Sequence, residues 1–228
     1  LDVKTGSGAF MSDPADARRL AETMVRLGKD AGVNTRALIT AMDVPLGLAV
    51  GNALEVSESV EVLAGGGPAD VVELTVLLAR EMLDLAGITG IDPAQTLVDG
   101  SAMDVWRRMI SAQGGDPDAS LPVAREHEVV RAETGGVVTR MDALSVGVAA
   151  WRLGAGRARK EDPVAAGAGI LLHAKPGDRV VAGAPLMTLF ADEAGRFDLA
   201  HQALVGAVDV GPEGSTIERL PLVVGRVD

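Results

Sequence analysis

The stretch LDVKTGSGAFM, residues 1–11, decides how the first part of the chain folds. Apolar and polar residues alternate at its start and glycines follow at once, which is typical of a short strand that runs into a loop. Ser-Asp-Pro at 12–14 predicts a helix start, because a Ser or Asp oxygen accepts free backbone N–H groups and proline suits the first turn. Apolar residues then recur at helical spacing, and Gly28 or Gly32 is expected to end the helix. Residues 36–40 predict a second strand. This order predicts a βαβ unit.

Helical periodicity continues through the middle of the chain. Apolar residues on one face of 46–60 predict a helix. Asp70 is expected to cap a further helix over 71–86, because its carboxylate can accept backbone N–H groups of the first turn. Two shorter helices are predicted near 93–99 and 102–113. This stretch is therefore expected to be mostly helical.

The pattern changes beyond about residue 122, where short β-rich runs alternate with glycine. One helix is expected in this part, over 143–153. Lys-Pro-Gly-Asp at 175–178 predicts a hairpin turn, because proline presets φ and Gly-Asp accepts a tight geometry. We therefore divide the chain into two predicted domains, residues 1–121 and residues 122–228.

The composition indicates a globular protein that does not bind nucleic acid. Of its 228 residues, 47% are hydrophobic, which is enough for a sizeable core. The formal net charge is −11, whereas phosphate backbones are bound through clustered lysines and arginines. Aromatic residues make up only 2% of the chain, so stacking platforms for bases are nearly unavailable.

Cysteine is absent, which excludes disulfides, thiolate zinc sites and a cysteine nucleophile. The three histidines lie far apart in the sequence, which argues against a histidine-based metal site. No apolar run reaches the roughly 18 residues that a membrane helix needs. We therefore expect a cytoplasmic protein that does not associate with membranes.

The glycine loop at 6–8 occupies the position, between a strand and a helix, where proteins often bind anions. A dinucleotide fingerprint would need a third glycine at position 11, which is Met11. A phosphate loop of the GxxxxGK type also fails, because the nearby Lys4 comes before the glycines. The pattern alone leaves a ligand loop and a plain strand-to-helix turn open, and it favours the turn.

Four separated stretches carry a family resemblance. They are LDVKTGSGAFM at 1–11, MDVPLGLAVGNALEVSESV at 42–60, WRLGAGRARKEDPV at 151–164 and GILLHAKPGDRVVAGAPL at 169–186. In this order they resemble the pyrimidine-nucleoside phosphorylases, the group that includes thymidine phosphorylase. The resemblance implies the C-terminal half of such a protein: residues 1–121 as part of a mixed-sheet α/β domain with helices, and 122–228 as a smaller α+β domain of barrel-sandwich type.

The resemblance also implies an activity. The family are transferases of the pentosyltransferase (glycosyltransferase) kind that act in pyrimidine nucleoside metabolism and nucleotide salvage. They catalyse reversible phosphorolysis: inorganic phosphate and a pyrimidine nucleoside give the free base and a pentose 1-phosphate, with no organic cofactor. A homodimer is expected for the full-length protein. The family's Lys-His-Ser phosphate loop and main base-binding residues have no counterpart in this sequence, so we expect the isolated chain to be inactive and assign it no catalytic residue.

Phe10 is the candidate substrate-binding residue. The resemblance matches it to an apolar position that forms part of the wall of the base pocket. The pattern alone favours a different role, an aromatic side chain that packs in the core beneath the loop.

A monovalent cation site, for K⁺ or Na⁺, is the second feature that the resemblance implies. Its matching positions are Leu46, Ala49 and Glu58, of which the first two would contribute backbone carbonyls. Hard cations prefer oxygen ligands, so this donor set is chemically consistent. The sequence alone favours Glu58 as a solvated charge on a helix.

Two other functions stay open at this point. One is a non-catalytic domain pair or scaffold that needs a separate N-terminal half. The other is a phosphorylase of nucleoside monophosphates. The basic run at 157–160 is followed by acidic residues and indicates a solvated surface or a contact between the two predicted domains. His173 lies in an alternating strand, where a single histidine is more often packed or exposed than catalytic.

Overall fold

The computed structural model of the chain describes residues 1–217 and 220–228. In chain order the strands are β1 (Asp2–Thr5), β2 (Ala37–Ala41), β3 (Ala49–Gly51), β4 (Glu126–Arg131), β5 (Gly136–Met141), β6 (Gly169–Leu172), β7 (Arg179–Val180), β8 (Pro185–Ala191), β9 (Val208–Gly211) and β10 (Val223–Val227). The helices are α1 (Pro14–Asp30), α2 (Ala53–Leu63), α3 (Ala69–Leu85), α4 (Gln95–Val98), α5 (Ser101–Ala112), α6 (Ala143–Ala150) and α7 (Arg196–Leu204). A π-helical turn, Trp151–Ala155, follows α6.

The first sheet has the order β1-β2-β10 and contains the predicted βαβ unit. Strand β1 runs parallel to β2, with Val3 opposite Ile39, and α1 connects the two strands. Asp13 caps α1, because its side chain accepts the N–H of Ala15 at 2.7 Å. Strand β10 pairs antiparallel with the other side of β2, so the end of the chain returns to the sheet that its beginning forms.

The second sheet has the order β3-β6-β8-β4 and the third has the order β7-β5-β9, with all pairs antiparallel. The largest core cluster lies where α6, α7 and the π-helical turn pack on β6 and β8. The predicted mixed α/β class is confirmed. The barrel-sandwich description of the second part stays a prediction, as does the division at residues 121 and 122. Strands on both sides of that division, β3 and β6, pair with each other.

Three local predictions were wrong. The helix expected over 46–60 begins only at Ala53, because residues 49–51 form β3 and Gly47 and Gly51 adopt positive φ. Periodicity alone does not distinguish a short apolar strand from a helical segment. Pairing with β6 decides in favour of the strand.

Asp70 does not cap α3, and residues 175–178 do not close a hairpin. Pro68 occupies the capping position of α3, and Asp70 lies in the first turn, where its carboxylate accepts the N–H of the adjacent Val71 and that of Gly47 from another segment. The turn at 175–178 connects β6 of the second sheet to β7 of the third sheet. Its tight geometry was nevertheless predicted correctly, since the N–H of Asp178 donates to the carbonyl of Lys175 at 2.9 Å. Helix α7 was not predicted.

Within residues 1–217 and 220–228, no helix is both long enough and apolar enough to cross a lipid bilayer.

Candidate functional site

A cleft of about 560 Å³ lies between the segment that follows β2 and helix α6. Residues 45, 46, 49 and 50 line it together with Glu55 and Glu58 of α2. Residues of α6 and Trp151 also line it. Gly8 of the glycine loop and Lys4 of β1 complete this part of the lining. The cleft thus combines apolar walls with two carboxylates and one ammonium group, which is the composition typical of a small-ligand site.

Glu58 reaches from α2 to the segment that precedes it. Its Oε1 accepts the N–H of Leu48 at 2.8 Å and the N–H of Ala49 at 3.0 Å. Burial raises the pKa of the Glu58 carboxyl, and these two backbone hydrogen bonds only partly oppose that effect. The side chain is therefore not a freely solvated charge, the alternative that the sequence alone favoured.

Gly47 allows this close approach. Its φ is +70°, a conformation that side chains disfavour, and a Cβ atom at this position would lie 2.1 Å from Oε2 of Glu58. Any side chain at position 47 would therefore displace the Glu58 carboxylate. The requirement for glycine at position 47, in the string PLGLAVGNALEV, is therefore steric.

Leu46, Ala49 and Glu58 offer oxygen donors of the kind that suits a monovalent cation. Both backbone hydrogen bonds of Glu58 use Oε1, and in the part of the chain that the structure describes Oε2 accepts none. Asp70 adds negative potential, since its charge also raises the pKa of Glu58. Within the described residues no group of three or more acidic, histidine or cysteine side chains could hold a metal ion. A cation here would therefore depend on backbone carbonyls together with Glu58.

Asp70 and Lys175 form an ion pair beside this segment. Their Oδ2 and Nζ atoms lie 2.5 Å apart, and both side chains are mostly buried. The same Oδ2 atom accepts the N–H of Gly47 at 3.2 Å. Burial acts to raise the pKa of Asp70, but the hydrogen bond and charge of Lys175 outweigh it, so that this pKa is lowered. Asp70 therefore stays ionised in contact with the glycine segment.

Backbone N–H groups of the glycine loop at 6–8 donate hydrogen bonds to neighbouring residues of the chain itself. Ser7 donates its backbone N–H to Oδ1 of Asp43 at 3.1 Å, and Gly8 donates to the carbonyl of Met42 at 2.9 Å. Gly6 adopts a φ of +115°, and a Cβ there would lie 2.6 Å from the Asp43 carboxylate. Two of the loop's N–H groups are thus already paired, which agrees with the strand-to-helix turn that the pattern favoured.

The structure brings Leu46, Ala49 and Glu58 together in the cleft and leaves Phe10 outside its lining. The ring of Phe10 is fully exposed, so the expected packing beneath the loop is wrong. Its role in a base pocket stays a prediction. Sequence reasoning missed Trp151 and the α6 residues that line the cleft, because no local pattern links them to residues a hundred positions earlier.

Comparison with known proteins first defines the class. Residues 137–211 match the family model described as the pyrimidine nucleoside phosphorylase C-terminal domain. Over 227 residues the chain is 55% identical to the thymidine phosphorylase of Mycobacterium tuberculosis strain H37Rv, covering 100% of this chain and 53% of that protein. It is 43% identical over 203 residues to the pyrimidine-nucleoside phosphorylase of Bacillus subtilis strain 168, covering 84% of this chain and 47% of the relative.

These matches confirm the resemblance that the four stretches predicted: the chain is similar to pyrimidine-nucleoside phosphorylases. It spans about half the length of the curated relatives that it matches.

Proposed function

We propose that this chain is part of a phosphorylase that splits pyrimidine nucleosides with inorganic phosphate, and that it supplies the cation-binding segment of that enzyme. The single observation that supports this most is the Glu58 carboxylate held against the backbone of residues 48 and 49. That geometry occurs within the stretch that most resembles the family's cation-binding sequence. The names of both relatives, a thymidine phosphorylase and a pyrimidine-nucleoside phosphorylase, support the substrate class.

In the proposed reaction, phosphate attacks the anomeric carbon while the bond to the base breaks. The sugar passes through a cation-like state, so the enzyme acts by positioning phosphate and by stabilising charge on the departing base. The carbonyls of Leu46 and Ala49 and the carboxylate of Glu58 would hold K⁺ or Na⁺, whose charge offsets that of Glu58. Phe10 would contribute its exposed ring to the wall of the base pocket. No residue of this chain is assigned a bond-making role.

The cation site is tested by thermal unfolding at constant ionic strength, with KCl or NaCl replaced by N-methylglucamine chloride. We expect K⁺ or Na⁺ to raise the melting temperature of the 228-residue chain, because a ligand that binds only the folded state stabilises it. Glu58→Gln should abolish the increase. Glu55→Gln is the matched control, since Glu55 lies on the same helix and accepts the N–H of Gly51 instead. An equal cation effect in all three chains would contradict the site.

The activity is tested by phosphate-dependent release of thymine from thymidine. We expect negligible release by the 228-residue chain alone and restored release when the complementary half of the M. tuberculosis thymidine phosphorylase is added. Robust turnover by the chain alone would contradict the assignment of the phosphate and base sites to residues outside it. Restored binding without restored turnover would favour the non-catalytic scaffold.

The reconstituted enzyme also separates the substrate classes. We expect thymidine, deoxyuridine or uridine to be cleaved and nucleoside monophosphates to be refused. Preferential cleavage of the monophosphates would favour the alternative function.

Three further proposals concern the whole protein: a homodimer, a cytoplasmic location and a role in nucleotide salvage. The division of the chain at residues 121 and 122 is also a proposal, and the exposed irregular segment at 113–124 supports it. Limited proteolysis should cut first within this segment.

A further inference from the structure

We propose that Lys175 is a positioning residue for the 46–49 segment. Through Asp70 it fixes the backbone of Gly47. The turn that carries Lys175, in the C-terminal part of the chain, thereby sets the geometry of the candidate cation site. This inference rests on the proposed role of the 46–49 segment. The contact joins residues that are 105 positions apart in the sequence.

The connection runs through a single oxygen atom. Oδ2 of Asp70 receives the ammonium group of Lys175 at 2.5 Å and the N–H of Gly47 at 3.2 Å. Oδ1 of Asp70 accepts the N–H of Val71, which fixes the carboxylate to the first turn of α3. The carboxylate plane therefore has little freedom, and the lysine holds it in the orientation that Gly47 needs.

The turn that carries Lys175 is itself firmly held. The backbone N–H of Lys175 donates to Oδ2 of Asp178 at 2.8 Å. The N–H of Gly177 donates to the carbonyl of Val138 at 2.8 Å, and the N–H of Val138 donates to the carbonyl of Asp178 at 2.9 Å. Val138 is fully buried in β5. Lys175 thus extends from a support that is tied to a core strand.

The 47–49 segment is held from three sides. Asp70 binds the N–H of Gly47, and Glu58 binds the N–H groups of Leu48 and Ala49. The carbonyl of Leu48 accepts the N–H of Leu172 at 2.7 Å. Helix α3 therefore fixes Gly47, helix α2 fixes Leu48 and Ala49, and strand β6 holds Leu48 from another side. The Lys175–Asp70 pair is the part of this arrangement that can be removed without changing the candidate ligands.

Without the lysine, Asp70 would lie close to the like-charged Glu58 in a partly buried site. Mutual repulsion and the lost hydrogen bond would let the Asp70 carboxylate turn toward solvent and release Gly47. Two effects on the cation then oppose each other. Removing a nearby positive charge strengthens cation binding, whereas loosening the segment weakens it. A positioning role requires that the weakening dominate.

The first test is amide hydrogen exchange, measured by NMR on the 228-residue chain without K⁺ or Na⁺. We expect Lys175→Met to speed exchange of the Gly47 amide about tenfold or more, with the Val138 and Ile39 amides unchanged. Methionine keeps the apolar stem of the side chain, which limits packing losses. Lys29→Met, at the exposed end of α1, is the matched control and should leave all three amides unchanged. Unchanged Gly47 exchange would overturn the inference, and so would equal acceleration at Gly47, Val138 and Ile39.

A second pair of variants separates the hydrogen bond from the charge. Asp70→Asn retains an oxygen that can accept the N–H of Gly47, whereas Asp70→Ala does not. We expect the alanine variant to speed Gly47 exchange more than the asparagine variant. Equal effects would mean that the oxygen does not hold Gly47, which would contradict the inference.

The third readout is the apparent dissociation constant of K⁺, followed by the fluorescence of Trp151 in a Trp106→Phe background. Trp151 lines the same cleft as Leu46 and Glu58. We expect Lys175→Met to weaken K⁺ binding about tenfold, and tighter binding would overturn the positioning role. If K⁺ has no effect on any chain, the proposed cation site fails. Faster Gly47 exchange in Lys175→Met would then still support the Lys175–Asp70–Gly47 connection.

Discussion

The first sheet with α1 and the core around α6 differ in the side chains that hold them together. The cluster between α1 and the first sheet consists of Val3, Ala17, Ala21, Val25, Ala37 and Ile39. The cluster around α6, β6 and β8 contains larger buried side chains, among them Met141, Leu153, Ile170, Leu172, Met187 and Leu189. Because hydrophobic stabilisation scales with the apolar area buried, the first cluster stabilises its region less.

The first region compensates with contacts from the end of the chain. Strand β10 pairs with β2, and Arg36 at the start of β2 contacts Glu81 and lies 2.6 Å from Asp228. Hydrogen bonds to Asp84 first, and then to Glu81 and Asp228, raise the pKa of Arg36, whose side chain is only 15% exposed. Arg226 of β10 also contacts Glu81, at 3.1 Å. The two regions therefore differ in how they are stabilised. The core around α6 packs on its own large side chains, whereas the first sheet with α1 depends on a strand that is distant in sequence, β10.

Deletion of residues 222–228 should have the largest effect. It removes the β10 ladder and the carboxylate of Asp228 from Arg36, and each net backbone hydrogen bond contributes about 1 kcal/mol. We expect the amides of 37–41 to lose protection from hydrogen exchange, while those of β6 and β8 keep it. Asp228→Asn, which retains the strand, is the control and should keep most of the protection. Full protection of 37–41 in the shortened chain would contradict the comparison.

Truncation of one buried side chain in each region is the next test. Leu189→Ala, in the large cluster, should lower the free energy of unfolding by about 3 to 5 kcal/mol, since a fully buried leucine leaves a cavity. Val25→Ala, in the small cluster, should cost only about 2 kcal/mol, because fewer methyl groups are lost. Urea unfolding followed by circular dichroism measures both. A larger loss in Val25→Ala would reverse our ranking of the two regions.

The helix cap of α6 should contribute less than these buried side chains to the free energy of unfolding. Asp142 accepts the backbone N–H of Ser145 at 2.8 Å and its hydroxyl at 2.6 Å. Asp142→Ala should therefore cost about 1 kcal/mol, and Asp142→Asn should cost less because asparagine also caps helices. Thermal unfolding of the three chains at pH 7 measures the difference.

The effect of Asp142 should also depend on pH in a defined direction. Burial acts to raise the pKa of Asp142, but hydrogen bonds from Ser145 outweigh it, so this pKa is lowered in the folded chain. Its stabilisation is present above the unfolded pKa of about 3.9 and is lost as pH falls through the folded value. The gap in stability between wild type and Asp142→Ala should shrink below about pH 4. A gap that is constant down to pH 2 would contradict this.

The smallest effect is expected for an ion pair on the surface of the second region. His201 and Glu128 contact each other at 2.7 Å, and both side chains are more than 40% exposed. Glu128→Gln should change the free energy of unfolding by less than about 0.5 kcal/mol, because exposed pairs are strongly solvated. Chemical unfolding at neutral pH checks this value, and a loss as large as that of Asp142→Ala would show that surface charge matters more here than packing suggests.

Local patterns predicted much of the fold and part of the candidate site. The βαβ unit followed from the strand, glycine and helix-start signals of residues 1–41, and the structure confirms it. Leu46, Ala49 and Glu58 were chosen from a resemblance within one short stretch, and the structure places them along one cleft. Such features are predictable because the interacting residues lie within about one helix or turn of each other in sequence.

Other parts of the site had no local signal. Asp70 was expected to cap its own helix, yet its carboxylate binds Gly47 and Lys175. Trp151 reaches the cleft only because α6 packs across from the 45–50 segment. Contacts over such separations depend on how helices and sheets assemble, which propensity and periodicity do not encode.

The sequence by itself determined the family resemblance, the mixed α/β class and the order of most helices, because each depends on residues close together in the chain. Only the tertiary structure decided that residues 49–51 form a strand, that β10 returns to β2 and that Lys175 meets Asp70. The physical reason is that backbone hydrogen bonds and partly buried charges must find partners, and those partners lie in segments that are distant in sequence.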